Sequence, residues 1–343
     1  MIYYLLLLWL LILVFIEQRY SNQRSGNKLL FAGTLPIFLI LALRSETVGT
    51  DTMPYLHMFE MVDLENYTSY FDDTLDYEHG FYLLQIIIKL FTNDSRYLIY
   101  TTSLFTCVSM FYFIARNATN KVVLLYFFTT MGFFQFSLSG MRQTIAICIT
   151  MFAYEFVKKK KIWYFLLLIV LAAQFHKSVV LAIPLYIIGN MNMTPKKAGV
   201  LFMGLLVIVL LGDKMLLWAA DVMEYDKYTN IEKADNGYIF FSIVAIITYY
   251  AYKYRDEIQK QKETNVGSVN ISFMSLSVWT ARLISRTAER VSFYFIPHTY
   301  LVLEELLTQN TRNKSIVLII VLSMMGYIFI HRLDDSFNYE FFF

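Results

Sequence analysis

The sequence has little charge and almost no cysteine. Of its 343 residues, 16% are Asp, Glu, Lys or Arg and 57% are hydrophobic, which favours a membrane setting over an aqueous one. Cys107 and Cys148 lie within apolar runs without the spacing of metal ligands, so they predict packing rather than a metal site. The sequence also lacks a nucleotide-binding loop and a dense basic patch, and nucleic-acid binding is not expected.

Apolar runs recur along the whole chain and predict an all-α polytopic membrane protein, because lipid offers backbone groups no hydrogen bonds outside a helix. No basic residue precedes the first run and no small-residue cleavage site follows it, so a retained first helix is expected. Residues 1–343 are expected to form a single integral membrane domain. About twelve spans are predicted, near residues 2–17, 28–43, 97–115, 121–138, 141–157, 162–175, 178–190, 198–212, 237–254, 270–288, 291–307 and 315–331.

Charged residues sort the loops by side, since Lys and Arg concentrate in cytoplasmic loops. The run 158–161 is four lysines and marks a cytoplasmic loop. The acidic loop 44–80 and the loop 212–236 are then external, and both termini lie outside. Segment 81–91 lies between external positions and would reach about 16 Å, roughly half the hydrocarbon thickness. It is therefore predicted to be a re-entrant or interfacial helix.

Five unusual polar clusters fall on the predicted outer side. They occupy residues 43–55, 78–81, 137–143, 174–178 and 282–290. In the last cluster, Arg282, Arg286 and Arg290 recur every four residues and on a helix would share one face within about 80° of arc. Because a cation near the bilayer centre costs roughly 2.5–3.5 kcal/mol, three on one face indicate an anion or water opposite them. The phosphates of a lipid-linked substrate fit this requirement.

Other residues in the clusters allow two interpretations. Arg142 lies in the predicted first turn of a helix, where a cation is unfavourable unless an anion binds there too. His176 either hydrogen-bonds a neighbouring loop or accepts a proton, for which neutral imidazole is well suited. Glu78 and Asp51 are the second choices as base. Arg44 is either an anchor at the membrane surface or a ligand of the substrate.

The motifs together resemble those of a known family. Arg44 with Val48-Gly49-Thr50-Asp51-Thr52 and Tyr55, Glu78-x-Gly80-Phe81, Met141-Arg142-Gln143-x-Ile145-Ala146, Phe175-His176-x-Ser178 and Glu289-Arg290 with Tyr294 occur in this order. The set resembles the EpsG family of Wzy-like bacterial polysaccharide polymerases. The C-terminal Asn338-Tyr339-Glu340 departs from the family pattern and is left out of the predicted site.

The resemblance implies a GT-C-like enzyme of the bacterial cytoplasmic membrane that joins undecaprenyl-diphosphate-linked repeat units of O antigen, capsule or exopolysaccharide. Glycosyl transfer would be inverting, on the outer face, without metal or cofactor. Donor and acceptor glycans, membrane lipid, a flippase and a chain-length regulator are the implied partners. The implied residues are His176, Glu78 and Asp51 for catalysis, Arg44, Arg142, Arg282, Arg286 and Arg290 for diphosphate, and Gln143, Tyr55 and Tyr294 for other substrate contacts.

Three alternative functions stay open. A ligase that attaches finished chains to another acceptor would use nearly the same chemistry. A flippase or other transporter would also need buried arginines, but its polar residues should extend through the membrane midplane, often in internal repeats. A membrane acyltransferase could use His176 as its base, yet its thioester donor would be cytoplasmic while His176 is predicted outside.

Overall fold

The computed structural model describes residues 1–20, 23–65, 78–194, 196–201, 203–204, 207, 237–261, 266–283, 288–308, 314–333 and 335–342. In these ranges helices are the only regular secondary structure, with no strand and one isolated antiparallel bridge, between Arg44 and Phe341. The predicted all-α architecture is confirmed for this part of the chain.

The following helices lie within the described residues. In chain order they are α1 (Ile2–Tyr20), α2 (Gln23–Ala42), α3 (Thr52–Met61), α4 (His79–Lys89), α5 (Arg96–Asn117), α6 (Lys121–Thr130), α7 (Phe133–Ser137), α8 (Met141–Lys158), α9 (Ile162–Ala173), α10 (Pro184–Gly189), α11 (Tyr238–Lys253), α12 (Arg255–Gln261), α13 (Val266–Arg282), α14 (Ala288–Ser292), α15 (Ile296–Thr308) and α16 (Lys314–His331), with 3-10 helices at Lys177–Ala182 and Asp335–Phe337.

The chain divides into two compact units. Unit 1 comprises Met1–Phe152, Leu167–His176 and Leu307–Phe343, and unit 2 comprises Ala153–Leu166 and Lys177–Leu306. Helix α6 is the centre of unit 1, since every one of its residues is buried. Its first turn is capped by the Glu17 carboxylate of α1, which accepts hydrogen bonds from the Val122 amide at 3.0 and 3.1 Å. A carboxylate at this position satisfies amides that the helix itself leaves without partners.

Within the described residues, four helices are long and apolar enough to cross a membrane: α1, residues Ser25–Ala42 of α2, α5 and α16. Helix α1 leaves Leu5, Leu8 and Phe15 exposed along one face, and lipid is the solvent that suits such a face. The same part of the chain has four shorter apolar helices, at Lys121–Thr130, Ile162–Ala173, Lys177–Gly189 and Tyr238–Lys253. The chain therefore has the helices of a membrane protein, and the number of crossings stays a prediction.

The predicted spans at 121–138 and 178–190 are each interrupted. The span expected at 121–138 consists of α6 and α7, which are separated at Gly132, where the backbone has a φ of 101°. The span expected at 178–190 begins as a 3-10 helix and continues as α10, with Pro184 at the start. Proline cannot donate a backbone hydrogen bond, so it is tolerated at a helix start.

The loops also contain more structure than predicted, because α3 lies within the segment expected to be an external loop. The predicted half-helix is present as α4, whose 11 residues begin two positions earlier than expected. Its place at the membrane surface stays a prediction. The segment 212–236 lies outside the described residues.

Thiol labelling tests whether α4 crosses the membrane. Both native cysteines are buried, so Asn93→Cys adds an exposed thiol just after α4. A half-helix predicts that a membrane-impermeant maleimide labels this thiol in intact cells. Lys159→Cys, in the basic loop predicted to be cytoplasmic, should react only after the cells are opened. Reaction of Asn93→Cys only in opened cells would mean that α4 crosses.

Candidate functional site

The loop before α3 packs tightly on the turn that starts α8. Gly49 has a φ of 89°, and a Cβ there would lie 2.1 Å from the carbonyl oxygen of Leu138. The Thr50 amide donates to Ser139 Oγ at 3.1 Å, and Thr52 Oγ1 donates to the Leu138 oxygen at 3.1 Å. Only glycine fits a left-handed backbone this close to another chain segment. The first and third polar clusters of the sequence are therefore neighbours.

Arg142, in the first turn of α8, joins the second cluster to these two. Its Nη1 lies 2.5 Å from Glu78 Oε2, and the two side chains are only 16% and 6% exposed. Its Nε donates to Tyr55 Oη at 3.5 Å, and its guanidinium carbon lies 5.8 Å from the centre of the Tyr55 ring. The Tyr55 ring in turn packs edge-on against Phe81 at 5.4 Å. A charge-assisted contact with little exposure fixes the guanidinium in place.

The turn that contains His176 is held against the start of α4. The Gly80 amide donates to the Gln174 oxygen at 2.8 Å, and a Cβ at position 80 would lie 2.6 Å from that oxygen. His176 is two residues further along and partly exposed. Four predicted clusters thus contribute residues to one connected region of unit 1.

Three helices begin in this region, α3 at Thr52, α4 at His79 and α8 at Met141. Each helix N-terminus carries a fractional positive charge, and Arg142 adds a full one. Asp51, the residue before α3, is partly exposed and accepts a hydrogen bond from Thr50 Oγ1 at 3.2 Å. The region is chemically suited to an anion, and the Glu78 carboxylate occupies it in this structure.

Arg44 lies apart from this arrangement, against the C-terminal tail. It is 1% exposed and donates to the Leu41 oxygen, while the Ser45 amide donates to the Glu340 oxygen at 2.8 Å. Burial disfavours the charged guanidinium and lowers the pKa of Arg44 to about 10. These contacts give Arg44 a structural setting, although the resemblance implied diphosphate binding.

Sequence reasoning missed the contribution of the tail. The Gly49 amide donates to the Ser336 oxygen at 2.9 Å, and Tyr339 Oη donates to the Ile40 oxygen at 3.0 Å. The tail therefore supports the loop that carries Gly49. No motif marked the tail, because the Ser45 and Gly49 amides bond to its backbone oxygens, which any sequence supplies.

In unit 2, the predicted arginine face is divided between two helices. Arg282 ends α13 and its Nε donates to Glu289 Oε2 of α14 at 2.9 Å, whereas Arg290 lies in α14 and is exposed. The expectation of one continuous helix face is therefore wrong. Arg286 lies outside the described residues. Tyr294 shares a hydrogen bond of 3.0 Å with Ser178, and both residues belong to predicted motifs.

Unit 2 also contains a buried polar cluster that the sequence analysis did not single out. Ser268 Oγ lies 2.9 Å from Tyr154 Oη and 3.1 Å from His298 Nδ1, and Lys158 pairs with Glu155 at 2.6 Å. A histidine inside an apolar run was the available signal, since ionisable residues are expensive in a membrane.

Within the ranges that the structure describes, no group of three or more His, Cys, Asp or Glu residues is arranged to hold a metal ion.

Gln143 is buried beside Arg142 in α8.

A family model matches residues 27–343, which include every cluster described above, and its description is the EpsG family. The chain belongs to the EpsG family. The match confirms the resemblance seen in the motifs and indicates a polymerase role in polysaccharide biosynthesis. No curated protein and no solved structure matches the chain.

The packing of Gly49 in this EpsG-family chain generates a stability prediction. Gly49→Ala should lower thermal stability, because the left-handed backbone alone costs a non-glycine residue about 1–2 kcal/mol and the new Cβ meets the Leu138 oxygen. Gly199→Ala is the control, since a Cβ there has nothing within 4 Å. The measurement is thermal unfolding of the purified chain. Equal melting of both variants would contradict the described packing.

The Arg142–Glu78 pair should behave as a coupled unit. Because the pair is mostly buried, removing either partner leaves an uncompensated charge, which typically costs about 3–5 kcal/mol. Arg142→Gln and Glu78→Gln should each lower stability, and the double variant should lose less than the sum of the two. The exposed pair Arg96–Asp94 is the control, where single substitutions should have little effect. Additive losses at Arg142 and Glu78 would rule out the coupling.

Proposed function

We propose that this chain is a polymerase that joins undecaprenyl-diphosphate-linked repeat units on the outer face of the cytoplasmic membrane. The observation that carries the proposal is the position of Arg142, in contact with Glu78 and Tyr55 where α3, α4 and α8 begin. A fixed guanidinium among helix N-termini stabilises negative charge on a departing diphosphate without a metal ion. Family membership supplies the general reaction, and the geometry supports this location for it.

The proposed reaction is a single inverting displacement. The acceptor hydroxyl oxygen forms a bond to the anomeric carbon of the donor while the bond from that carbon to the diphosphate oxygen breaks. The electron pair of the broken bond leaves with undecaprenyl diphosphate, and the hydroxyl proton passes to a base on the protein. The energy is supplied by the diphosphate ester, so no nucleotide is required.

His176 is the proposed base, and the structure divides the other two candidates by their contacts. Glu78 is held by Arg142 at 2.5 Å, which suits a residue that orients the guanidinium until the substrate diphosphate arrives. Asp51 accepts from Thr50 Oγ1 and is partly exposed, so it suits a contact to a sugar hydroxyl. His176 is partly exposed, and Gly80 fixes its turn near the start of α4.

Two lipid-linked repeat units of the glycan must bind for each coupling, and each carries a diphosphate. We assign Arg142 to one of them. For the second we propose Arg282, Arg286 and Arg290, with Tyr294 and Gln143 as further substrate contacts. Arg44 is left out of the proposed diphosphate sites because of its burial against the tail. The proposed fold is a GT-C-like membrane domain with about twelve crossings. A flippase and a chain-length regulator are the proposed partners.

The proposal predicts the lipid-linked glycans of cells that lack the chain. Deletion should leave a single repeat unit on its carrier, and the wild-type chain should restore a ladder on a glycan gel. Arg142→Ala and His176→Ala should reach the membrane and abolish long products, with Arg290→Ala testing the second group. Loss of one electrostatic stabiliser of a transition state typically lowers the rate by about 10²–10³.

Arg116→Ala is a matched control. Arg116 also places its guanidinium over a tyrosine ring, 6.0 Å from the centre of Tyr112, but it lies in the last turn of α5 near the predicted cytoplasmic side. It should keep the wild-type ladder. A wild-type ladder in Arg142→Ala would remove the arginine from the mechanism. Repeat units trapped on the cytoplasmic side after deletion would indicate a flippase, and a full ladder on the carrier that never reaches its acceptor would indicate a ligase.

A further inference from the structure

Three side chains on one face of α4 contact α3. Phe81 packs against Tyr55, Gln85 Nε2 lies 3.3 Å from Met58 Sδ, and Lys89 reaches the end of α3. Residues four apart share a helix face, so Phe81, Gln85 and Lys89 form one row. Phe81 meets the first turn of α3, and Lys89 meets the end of α3. The two helices therefore run parallel.

Lys89 makes the contact at the far end of this row. Its Nζ donates to the carbonyl oxygens of Phe59 at 3.0 Å, Glu60 at 2.9 Å and Val62 at 2.5 Å. The last carbonyls of a helix have no partner within the helix, so the three donors of one ammonium group satisfy oxygens at the end of α3. The ammonium also lies 5.5 Å from the centre of the Phe59 ring.

The electrostatics of the two helices agree with this contact. Parallel helices place their negative C-terminal ends side by side, which is unfavourable unless a cation lies there. Lys89 is the last residue of α4 and touches the end of α3, so one charge serves both ends. At the opposite ends stand Tyr55 and Glu78, which are the two contacts of Arg142.

We propose that Lys89 is a positioning residue for the polymerase site. By fixing the end of α3 to the end of α4, it sets how Tyr55 and Glu78 meet Arg142, although it lies at the other end of the two helices. The inference rests on the proposed function and adds a residue that no motif contained. A misplacement of about 1 Å at a reacting centre can lower a rate about 10²-fold, so a remote clamp can matter for rate.

The test compares Lys89→Met, Lys89→Arg and Lys253→Met in the full-length chain in lipid nanodiscs. Met keeps the apolar stem and removes the three donors, whereas Arg keeps the charge. Lys253 is the matched control because it also ends a helix, α11, but its contacts are the rings of Tyr250 and Tyr254. Two readouts are measured: hydrogen–deuterium exchange over residues 52–61, and the coupling rate with lipid-linked repeat units extracted from the deletion strain.

Lys89→Met should exchange faster than wild type over residues 52–61 and couple repeat units about tenfold to a hundredfold more slowly. Lys89→Arg should keep most of the wild-type protection from exchange and most of the wild-type coupling rate. Lys253→Met should change neither the exchange nor the coupling rate. The double variant Lys89→Met/Tyr55→Phe should slow coupling by less than the product of the two single-variant factors, because both substitutions act on the contact with Arg142. If Lys89 has a purely structural role, the losses of coupling rate in Lys89→Met and Tyr55→Phe should be independent of each other. If Lys89→Met fails to reach the membrane, Lys89→Gln, which keeps an amide donor, replaces it.

Unchanged exchange over residues 52–61 in the Met variant would overturn the clamp. Faster exchange with a wild-type coupling rate, or losses that multiply independently with Tyr55→Phe, would overturn the role in positioning. If the wild-type chain itself couples no repeat units, the polymerase proposal fails, and the exchange data still decide whether Lys89 holds the two helices together.

Discussion

The ion pair between Arg142 and Glu78 is the interaction on which the candidate site depends. An arginine in the first turn of a helix opposes the helix dipole, and one with 16% exposure also loses hydration. Both costs are offset only if an anion lies close by. Glu78 supplies that anion at 2.5 Å, and a substrate phosphate would meet the same requirement. At this position, the same need for a nearby anion governs both the stability of the fold and the binding of a substrate phosphate.

The surroundings of the pair are built from backbone contacts. Gly49 lies on the Leu138 carbonyl, Gly80 lies on the Gln174 carbonyl, and the C-terminal tail donates and accepts through main-chain atoms. The two glycine contacts depend on the absence of a side chain, so they do not tolerate substitution. They bring together α3, α4 and α8, whose N-termini add to the positive potential of Arg142.

Several elements were predictable from the residues alone. The apolar runs predicted α1, α2, α5 and α16 closely, because a membrane-length helix leaves a long and simple pattern. A short helix near 81–91 was predicted from the parity of crossings and its length, and α4 is such a helix, while its place at the membrane surface stays a prediction. The ordered motifs identified the EpsG family, which the family match confirms. Less predictable were α7 and the 3-10 helix after His176, where short apolar runs do not reveal a break. The arginine face failed for the same reason, since a helix was assumed to continue past Arg282.

The sequence by itself determined the helical class, the family and the residue types available for binding a diphosphate. These properties depend on local periodicity and on motifs of two to five residues, which can be read along the chain. Only the tertiary structure decided which of those residues meet: that Arg142 pairs with Glu78, that Arg44 is buried against the tail, and that Lys89 caps a helix about 30 residues away. Pairing between distant segments depends on packing and on unsatisfied backbone groups, and neither is written in the local order of side chains.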